Sequence, residues 1–70
     1  MLDRIGLRMP MANWVEIDTH YNDDTGMEYW LYRDSDYGDY LLGACHIDVG
    51  QMTYYRGTLA DFNAETGADW

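Results

Sequence analysis

The chain has 70 residues, with 13 Asp and Glu, four Arg and no Lys, and a formal net charge of −9. This length allows a single small domain over residues 1–70. The sign of the charge disfavours direct binding to DNA, RNA or an anionic membrane. No apolar run approaches the roughly 20 residues that a membrane-spanning helix needs.

The residues available for a core are mainly aromatic. The sequence contains seven Tyr, three Trp and one Phe, and its single cysteine, Cys45, cannot form an intrachain disulfide. Each aromatic side chain can bury about 150–250 Å², and a disordered acidic tail would be poor in such residues. We therefore expect a folded domain. A homodimer is left open, because association is another way for a small domain to gain stability.

The pattern of the first eleven residues allows more than one structure. Leu2, Ile5 and Met9 fit one face of a helix, while Gly6 and Pro10 argue against a stable helix. An irregular arm and a short edge strand that ends before Pro10 are the alternatives. The segment lacks the features of a signal peptide, and with one thiol in the chain we expect a cytoplasmic location.

A β-hairpin is predicted from residue 13 to residue 34. Alternation places two sets of side chains on opposite faces of the first strand: Val15, Ile17, Thr19 and Tyr21 on one, and Trp14, Glu16, Asp18 and His20 on the other. We expect one face to be buried and the other to be acidic, with Glu16 and Asp18 about 7 Å apart. Residues 22–26 form the turn, where Gly26 can adopt a positive φ, and the second strand runs from Met27 to Asp34.

The pattern after residue 40 predicts two further strands. The third strand covers residues 40–49 and would place Leu41, Cys45, Ile47 and Val49 on one face. Gly43, inside this strand, indicates a bulge or a close backbone approach. The fourth strand runs from Met52 to Arg56.

A short helix should follow the last strand. Thr58 is the expected N-cap, Asp61 is in position for a capping box, and Gly67 would end the helix. The predicted fold class is therefore α+β, an antiparallel meander of about four strands with one short C-terminal helix.

The acidic residues of the loop from Asp34 to Asp39 suggest a calcium-binding loop, whose spacing is known. A loop of the EF-hand kind needs glycine at its sixth position and Glu at its twelfth. Counted from Asp34, the glycine is Gly38, at the fifth position, and the twelfth residue is Cys45. The spacing fails, and an acidic turn is the interpretation that the residues favour.

Cys45, His46 and His20 are the residues that suggest zinc or thiol chemistry. A structural zinc site needs four ligands, and adjacent residues of a strand point to opposite faces. A nucleophilic thiol would need a base that the sequence does not place beside it. We therefore predict no catalytic residue, no metal site and no cofactor, and expect the protein not to be an enzyme.

The acidic surface is the remaining candidate for function. A row of carboxylates at a spacing of the same order as backbone phosphates could occupy a basic site that evolved for nucleic acid, and nearby Tyr or Trp could anchor the partner's arginines. The predicted partner-binding residues are Glu16, Asp18, Asp23, Asp24, Glu28, Asp34, Asp36, Asp39 and Tyr37. Solubility, or a halophilic source, would also explain the acidity.

Short, acidic, single-domain chains with these features resemble phage-encoded nucleic-acid mimics, in particular anti-CRISPR proteins. The resemblance rests on size, charge and aromatic richness. It implies a stoichiometric, non-enzymatic inhibitor in the cytoplasm of a host bacterial cell, which blocks DNA or guide RNA binding by a CRISPR effector. The alternatives are an antitoxin or immunity protein that plugs a basic nuclease, and a small module that binds a divalent metal.

Overall fold

The structure is a computed structural model that describes residues 2–7, 13–35 and 38–70. Within these residues it contains five β-strands and one α-helix: β1 (Asp3–Gly6), β2 (Trp14–Asn22), β3 (Met27–Asp34), β4 (Tyr40–His46), β5 (Met52–Gly57) and α1 (Leu59–Thr66). The α+β class, with an antiparallel sheet and a short C-terminal helix, is confirmed. The sheet has five strands rather than about four.

The additional strand is β1. The order of the sheet is β1-β5-β4-β3-β2, so the predicted hairpin and meander occupy four neighbouring positions and β1 pairs with the free side of β5. Of the alternatives for this segment, Asp3–Gly6 adopts the short edge strand rather than the helix. Met9 and Pro10 lie outside the described residues. β1 and β2 are therefore the two edges of the sheet.

The core lies between α1 and one face of the sheet. Leu31 of β3 pairs with Leu42 of β4, and Phe62 of α1, 0% exposed, packs in the same cluster of buried residues. Tyr29 and Ala44 extend this cluster along the two central strands. Phe62 is the one residue that α1 contributes to this cluster of buried side chains. The position of α1 therefore depends on a small number of contacts.

The ends of α1 match the sequence prediction. The hydroxyl of Thr58 accepts a hydrogen bond from the Asp61 amide at 3.2 Å, and the Asp61 carboxylate accepts one from the Thr58 amide at 3.2 Å. These two bonds form the predicted capping box. Gly67 ends the helix with φ of 79°, and its N–H donates to the carbonyl oxygen of Asn63. A positive φ of this kind is favourable for glycine.

β4 ends earlier than the alternation predicts. Its last residue is His46, and Ile47 and Val49 are exposed in the turn that follows. The amides of Val49 and Gly50 both donate to the carbonyl oxygen of His46, which closes this turn. The predicted strand to residue 49 is therefore wrong, because local turn hydrogen bonds replace the strand pairing.

Gly43 marks a close approach and not a bulge. It pairs in regular register with Trp30 on one side and Tyr54 on the other. A Cβ at this position would lie 2.8 Å from Cε of Met52 and 3.3 Å from Cε1 of Tyr54. The side chains of the neighbouring strand therefore fold over the backbone at Gly43.

The capping box provides a test of the fold. Thr58→Ala removes the hydroxyl that accepts from the Asp61 amide, and we expect it to lower the free energy of unfolding by about 1 kcal/mol. Thr58→Ser keeps an acceptor in the same place and should retain most of the stability. Urea denaturation followed by circular dichroism measures both. Equal midpoints for the wild type and the alanine variant would show that the cap does not stabilise the helix.

Candidate partner-binding surface

A β-bulge in β2 changes the arrangement of the predicted acidic row. Glu16 pairs with Tyr32 and Asp18 pairs with Leu31, with a shift of register between them. Tyr32 and Leu31 are neighbours on β3 and point to opposite faces, so Glu16 and Asp18 also lie on opposite faces. The prediction that they share one face is wrong, because Ile17 is an extra residue in the strand.

The expected buried face of β2 is also absent. Val15 and Ile17 are 54% and 51% exposed, and Tyr21 is exposed as well. α1 packs mainly over the central strands β3 and β4, whose residues form most of the buried cluster. An edge strand outside this cluster keeps its apolar side chains in contact with water.

Asp18 is held on the side of the sheet that carries α1. Its Oδ2 accepts a hydrogen bond from the indole N–H of Trp70 at 3.0 Å, and its Oδ1 accepts one from the amide of Thr19 at 2.8 Å. The Trp70 ring also makes an edge contact with His20, with 6.2 Å between ring centroids. The segment after α1 therefore orients Asp18 while leaving its side chain exposed.

The turn of the hairpin is tied to the end of α1 through Asn22. Its side-chain amide donates to the carbonyl oxygen of Thr66 at 3.0 Å, and its side-chain oxygen accepts from the amide of Asp24 at 3.0 Å. Asp23 and Asp24 are both exposed. A shallow groove of about 300 Å³ separates the turn from the helix end, and it is lined by His20, Tyr21, Asn22, Asp23, Asp24 and Gly67.

Glu16 and Glu28 lie on the face opposite α1. Glu28 pairs with Tyr21 of β2 and with Cys45 of β4 and is half-buried, whereas Glu16 is exposed beside Tyr32. Burial, then the neighbouring Tyr54 and the charge of Glu16, raise the pKa of Tyr32 above its ordinary value. The Tyr32 phenol therefore stays protonated at neutral pH beside the Glu16 carboxylate.

The second predicted acidic segment is arranged differently. Asp34 is only 6% exposed, so the expectation that its carboxylate stands on an exposed turn is wrong. Its amide donates to the carbonyl oxygen of Asp39, and its own carbonyl oxygen accepts from the amide of Gly38, which closes the loop around it. Asp39 is exposed, and Asp36 and Tyr37 lie outside the described residues.

Two carboxylates that the sequence reasoning did not include, Glu65 and Asp69, come from α1 and the segment after it. Glu65 lies close enough to Tyr29 of β3 for its charge to raise the pKa of that phenol, and Asp69 adjoins Trp70, which contacts Asp18 of β2. We call the combined set the acidic edge; its seven residues are Glu16, Asp18, Asp23, Asp24, Glu28, Glu65 and Asp69. One feature of the sequence points to negative charge at this end of the helix, because the last turn of α1 has no basic residue to offset the negative end of the helix dipole.

Two of the described arginines lie away from the acidic edge. Arg4 is on β1 and Arg56 on β5, four and three strands from β2 in the sheet order. At about 4.8 Å per strand these offsets are about 19 and 14 Å, beyond the Debye length of about 8 Å at physiological salt. Arg33 is on β3, at the opposite end from the hairpin turn, where its guanidinium lies 5.9 Å from the centre of the Tyr40 ring. Arg33 pairs with Val15, the neighbour of Glu16, so it lies beside the Glu16 end of the acidic edge, whereas Arg4 and Arg56 are distant from it.

The residues considered for metal or thiol chemistry are separated by the fold. Cys45 pairs with Glu28 and His46 with Met27, so the two side chains leave opposite faces of β4. His46 Nδ1 accepts a hydrogen bond from the amide of Asp48 at 3.1 Å. Within residues 2–7, 13–35 and 38–70, no three His, Cys, Asp or Glu side chains are grouped as metal ligands. In the same ranges no helix has the length and apolar character to cross a membrane.

The packing of Tyr29 predicts a pH dependence of stability. Burial, then the charge of Glu65 and the neighbouring Tyr55, raise its pKa above the ordinary value of 10.0. Between that ordinary value and the higher pKa of the folded state, the unfolded chain binds fewer protons, so stability must fall as the pH rises. We expect the melting temperature to fall above pH 10 and the slope to be smaller in Tyr29→Phe.

Thermal unfolding of both proteins from pH 7 to pH 11 measures this effect. Below pH 9 both forms of the chain keep their phenols protonated, so the difference between wild type and Tyr29→Phe should be constant there. Equal slopes above pH 10 would contradict the assigned role of Tyr29.

The acidic edge is the feature of the described structure that departs most from an ordinary domain surface. It joins carboxylates from β2, β3, the hairpin turn and the end of α1, and the described arginine beside them is Arg33, at the Glu16 end. Domain surfaces usually intersperse charges of both signs. Comparison with protein-family models, with curated proteins and with solved structures finds no match to this chain.

Proposed function

We propose that the protein is a non-enzymatic inhibitor that occupies a basic nucleic-acid-binding site on a partner protein. The observation that carries this proposal is the separation of charge. Seven carboxylates form the acidic edge, with Arg33 beside its Glu16 end, whereas Arg56 and Arg4 are three and four strands from β2. A surface of one sign attracts a partner of the opposite sign and raises the rate of encounter.

The energetic argument favours a partner that supplies cations. Carboxylates crowded on one edge repel one another, and a chain with a net charge of −9 cannot relieve this repulsion internally. Arginine and lysine side chains that line a nucleic-acid site would relieve this repulsion. They would then bind the carboxylates in place of the phosphates that they usually bind. Binding of the two proteins would then exclude DNA or RNA from the site.

The finer proposal is an anti-CRISPR protein that acts on a CRISPR effector in the cytoplasm of a host bacterial cell. Its support is the resemblance in size, charge and aromatic richness. Contacts are assigned to the acidic edge, and the predicted residues Asp36 and Tyr37, which belong to the same loop as Asp39 in the sequence, are not among them. The burial of Asp34 removes that carboxylate from the proposed contacts, and Asp39 lies in the loop beside it, away from the hairpin turn.

Displacement of nucleic acid tests the proposal. Purified CRISPR effectors and one basic nuclease would each be loaded with a fluorescent oligonucleotide, and the protein would be added while anisotropy is followed. We expect release of the oligonucleotide from at least one effector, at a stoichiometry near one. The concentration needed should rise steeply between about 50 and 300 mM salt, because the Debye length falls from about 14 Å to about 6 Å over this range.

Matched charge variants identify the surface that acts. Glu16→Gln combined with Asp23→Asn removes two charges from the acidic edge, and Asp3→Asn combined with Asp39→Asn removes two exposed charges elsewhere. At up to about 1 kcal/mol for each exposed ion pair, the first pair should weaken displacement about tenfold, or about 1.4 kcal/mol. The second pair should change it by less than about twofold.

Three outcomes would count against the proposal in different ways. Displacement that does not depend on salt removes its physical basis. Displacement from the nuclease alone assigns the protein to the antitoxin or immunity class. If the protein displaces nucleic acid from none of these proteins, solubility or a halophilic source becomes the explanation of its acidity.

A further inference from the structure

The outer side of β2 is a long sheet edge. β2 has nine residues and pairs with β3 on one side, and no described strand pairs with its other side. A strand in this position presents backbone N–H and C=O groups that can pair with another chain. After the bulge, the five residues from Asp18 to Asn22 keep regular register with β3, which corresponds to about 17 Å of strand.

β2 has two of the usual protections of an edge strand, a bulge and charged side chains, but both charges, on Glu16 and Asp18, are negative. Natural edge strands are commonly blocked by Lys, by Pro or by very short length. β2 has no Lys, Arg or Pro, and it exposes the apolar side chains of Val15, Ile17 and Tyr21. The other edge strand, β1, has only four residues and includes Arg4. The two edges of the sheet therefore differ in length, in charge and in exposed apolar surface.

Charge decides which kind of chain can pair with β2. A second copy of the protein would bring another Glu16 and another Asp18 to the same edge, and like charges on paired strands are destabilising. A strand with Arg or Lys on each of its two faces would instead place opposite charges beside these carboxylates, which lie on opposite faces of the sheet. Its apolar side chains would cover Val15 and Ile17, both of which are about half exposed.

We propose that the outer edge of β2 accepts an extended strand of the partner protein that carries Arg or Lys on both of its faces, through main-chain hydrogen bonds. The inference rests on the proposed function, since it names the element of the inhibitor that the basic partner engages. Main-chain pairing supplies affinity, and the carboxylates select a basic strand over an acidic one.

The first experiment uses a synthetic nine-residue peptide in which pairs of adjacent Arg residues alternate with pairs of Val or Thr, so that both faces of the strand carry cations. Titration into the isotope-labelled protein is followed by amide chemical shifts and by hydrogen exchange. We expect shifts and slower exchange at amides of residues 14–22, and no such protection on β1. A peptide of the same sequence with alternate amides N-methylated keeps the charge but loses main-chain donors, and it should bind at least tenfold more weakly. A peptide with Glu in place of Arg should not bind.

The second experiment uses a matched pair of edge variants. Val15→Lys combined with Ile17→Lys places two cations on β2, and Ile5→Lys combined with Leu7→Lys places two cations at the opposite edge, where both side chains are also exposed. We expect at least a tenfold loss of peptide affinity in the first variant. The second variant has the same net charge and should lose less than about threefold. Thermal unfolding of both variants establishes that each remains folded.

Each result supports or overturns the assignment. Equal binding of the N-methylated peptide, equal loss in the two variants, or protection outside β2 would overturn it, because attraction would then act through side chains alone. A wild-type dimer in sedimentation that is lost on Val15→Lys with Ile17→Lys would assign the edge to self-pairing instead. If nucleic acid is displaced from an effector while β2 stays unprotected, only this inference fails. If the peptide pairs with β2 but no nucleic acid is displaced, only the proposed function fails.

Discussion

The packing of Phe62 against Leu31 and Leu42 is the contact on which the rest of the structure depends. A domain of this size buries only about 60% of the surface of its unfolded chain, and α1 contributes just two fully buried residues, Phe62 and Thr66. The Thr66 hydroxyl donates to the Phe62 carbonyl oxygen at 2.7 Å, and the Thr66 carbonyl oxygen accepts from Asn22. Loss of this packing would release both the helix and the turn of the hairpin.

This arrangement has an electrostatic consequence. The capped N-terminus of α1 faces away from β2, and its C-terminal end, the negative end of the helix dipole, meets the strand with the exposed carboxylates. The sheet order places Arg4 and Arg56 on the far strands. Stability would favour the reverse, with cations at the helix end. Negative charge concentrated against that preference is easier to explain by binding than by stability.

The carboxylates of β2 affect which strands can pair with its outer edge. Acids on β2 oppose pairing between copies of the protein, as charged residues on edge strands commonly do, yet the same acids favour a basic strand. The β-bulge adds to this, because it places Glu16 and Asp18 on opposite faces. Carboxylates then flank the edge from both sides of the sheet, with the exposed apolar side chain of Ile17 between them in the strand and that of Val15 just before Glu16.

Local rules were enough for the elements whose signals lie within a few residues. The hairpin turn, the span of β3, the capping box at Thr58 and the end of α1 at Gly67 follow from backbone preference and short-range hydrogen bonds. The negative net charge is equally a property of the sequence.

Tertiary packing decided the rest. Alternation could not reveal the bulge at Ile17, because an extra residue leaves the pattern of residue types unchanged and alters only which strand neighbour each one meets. The burial of Asp34 and the addition of Glu65 and Asp69 to the β2 side depend on contacts between residues far apart in the chain. The sequence determined that the surface is acidic, and long-range packing determined where on it the acid is concentrated.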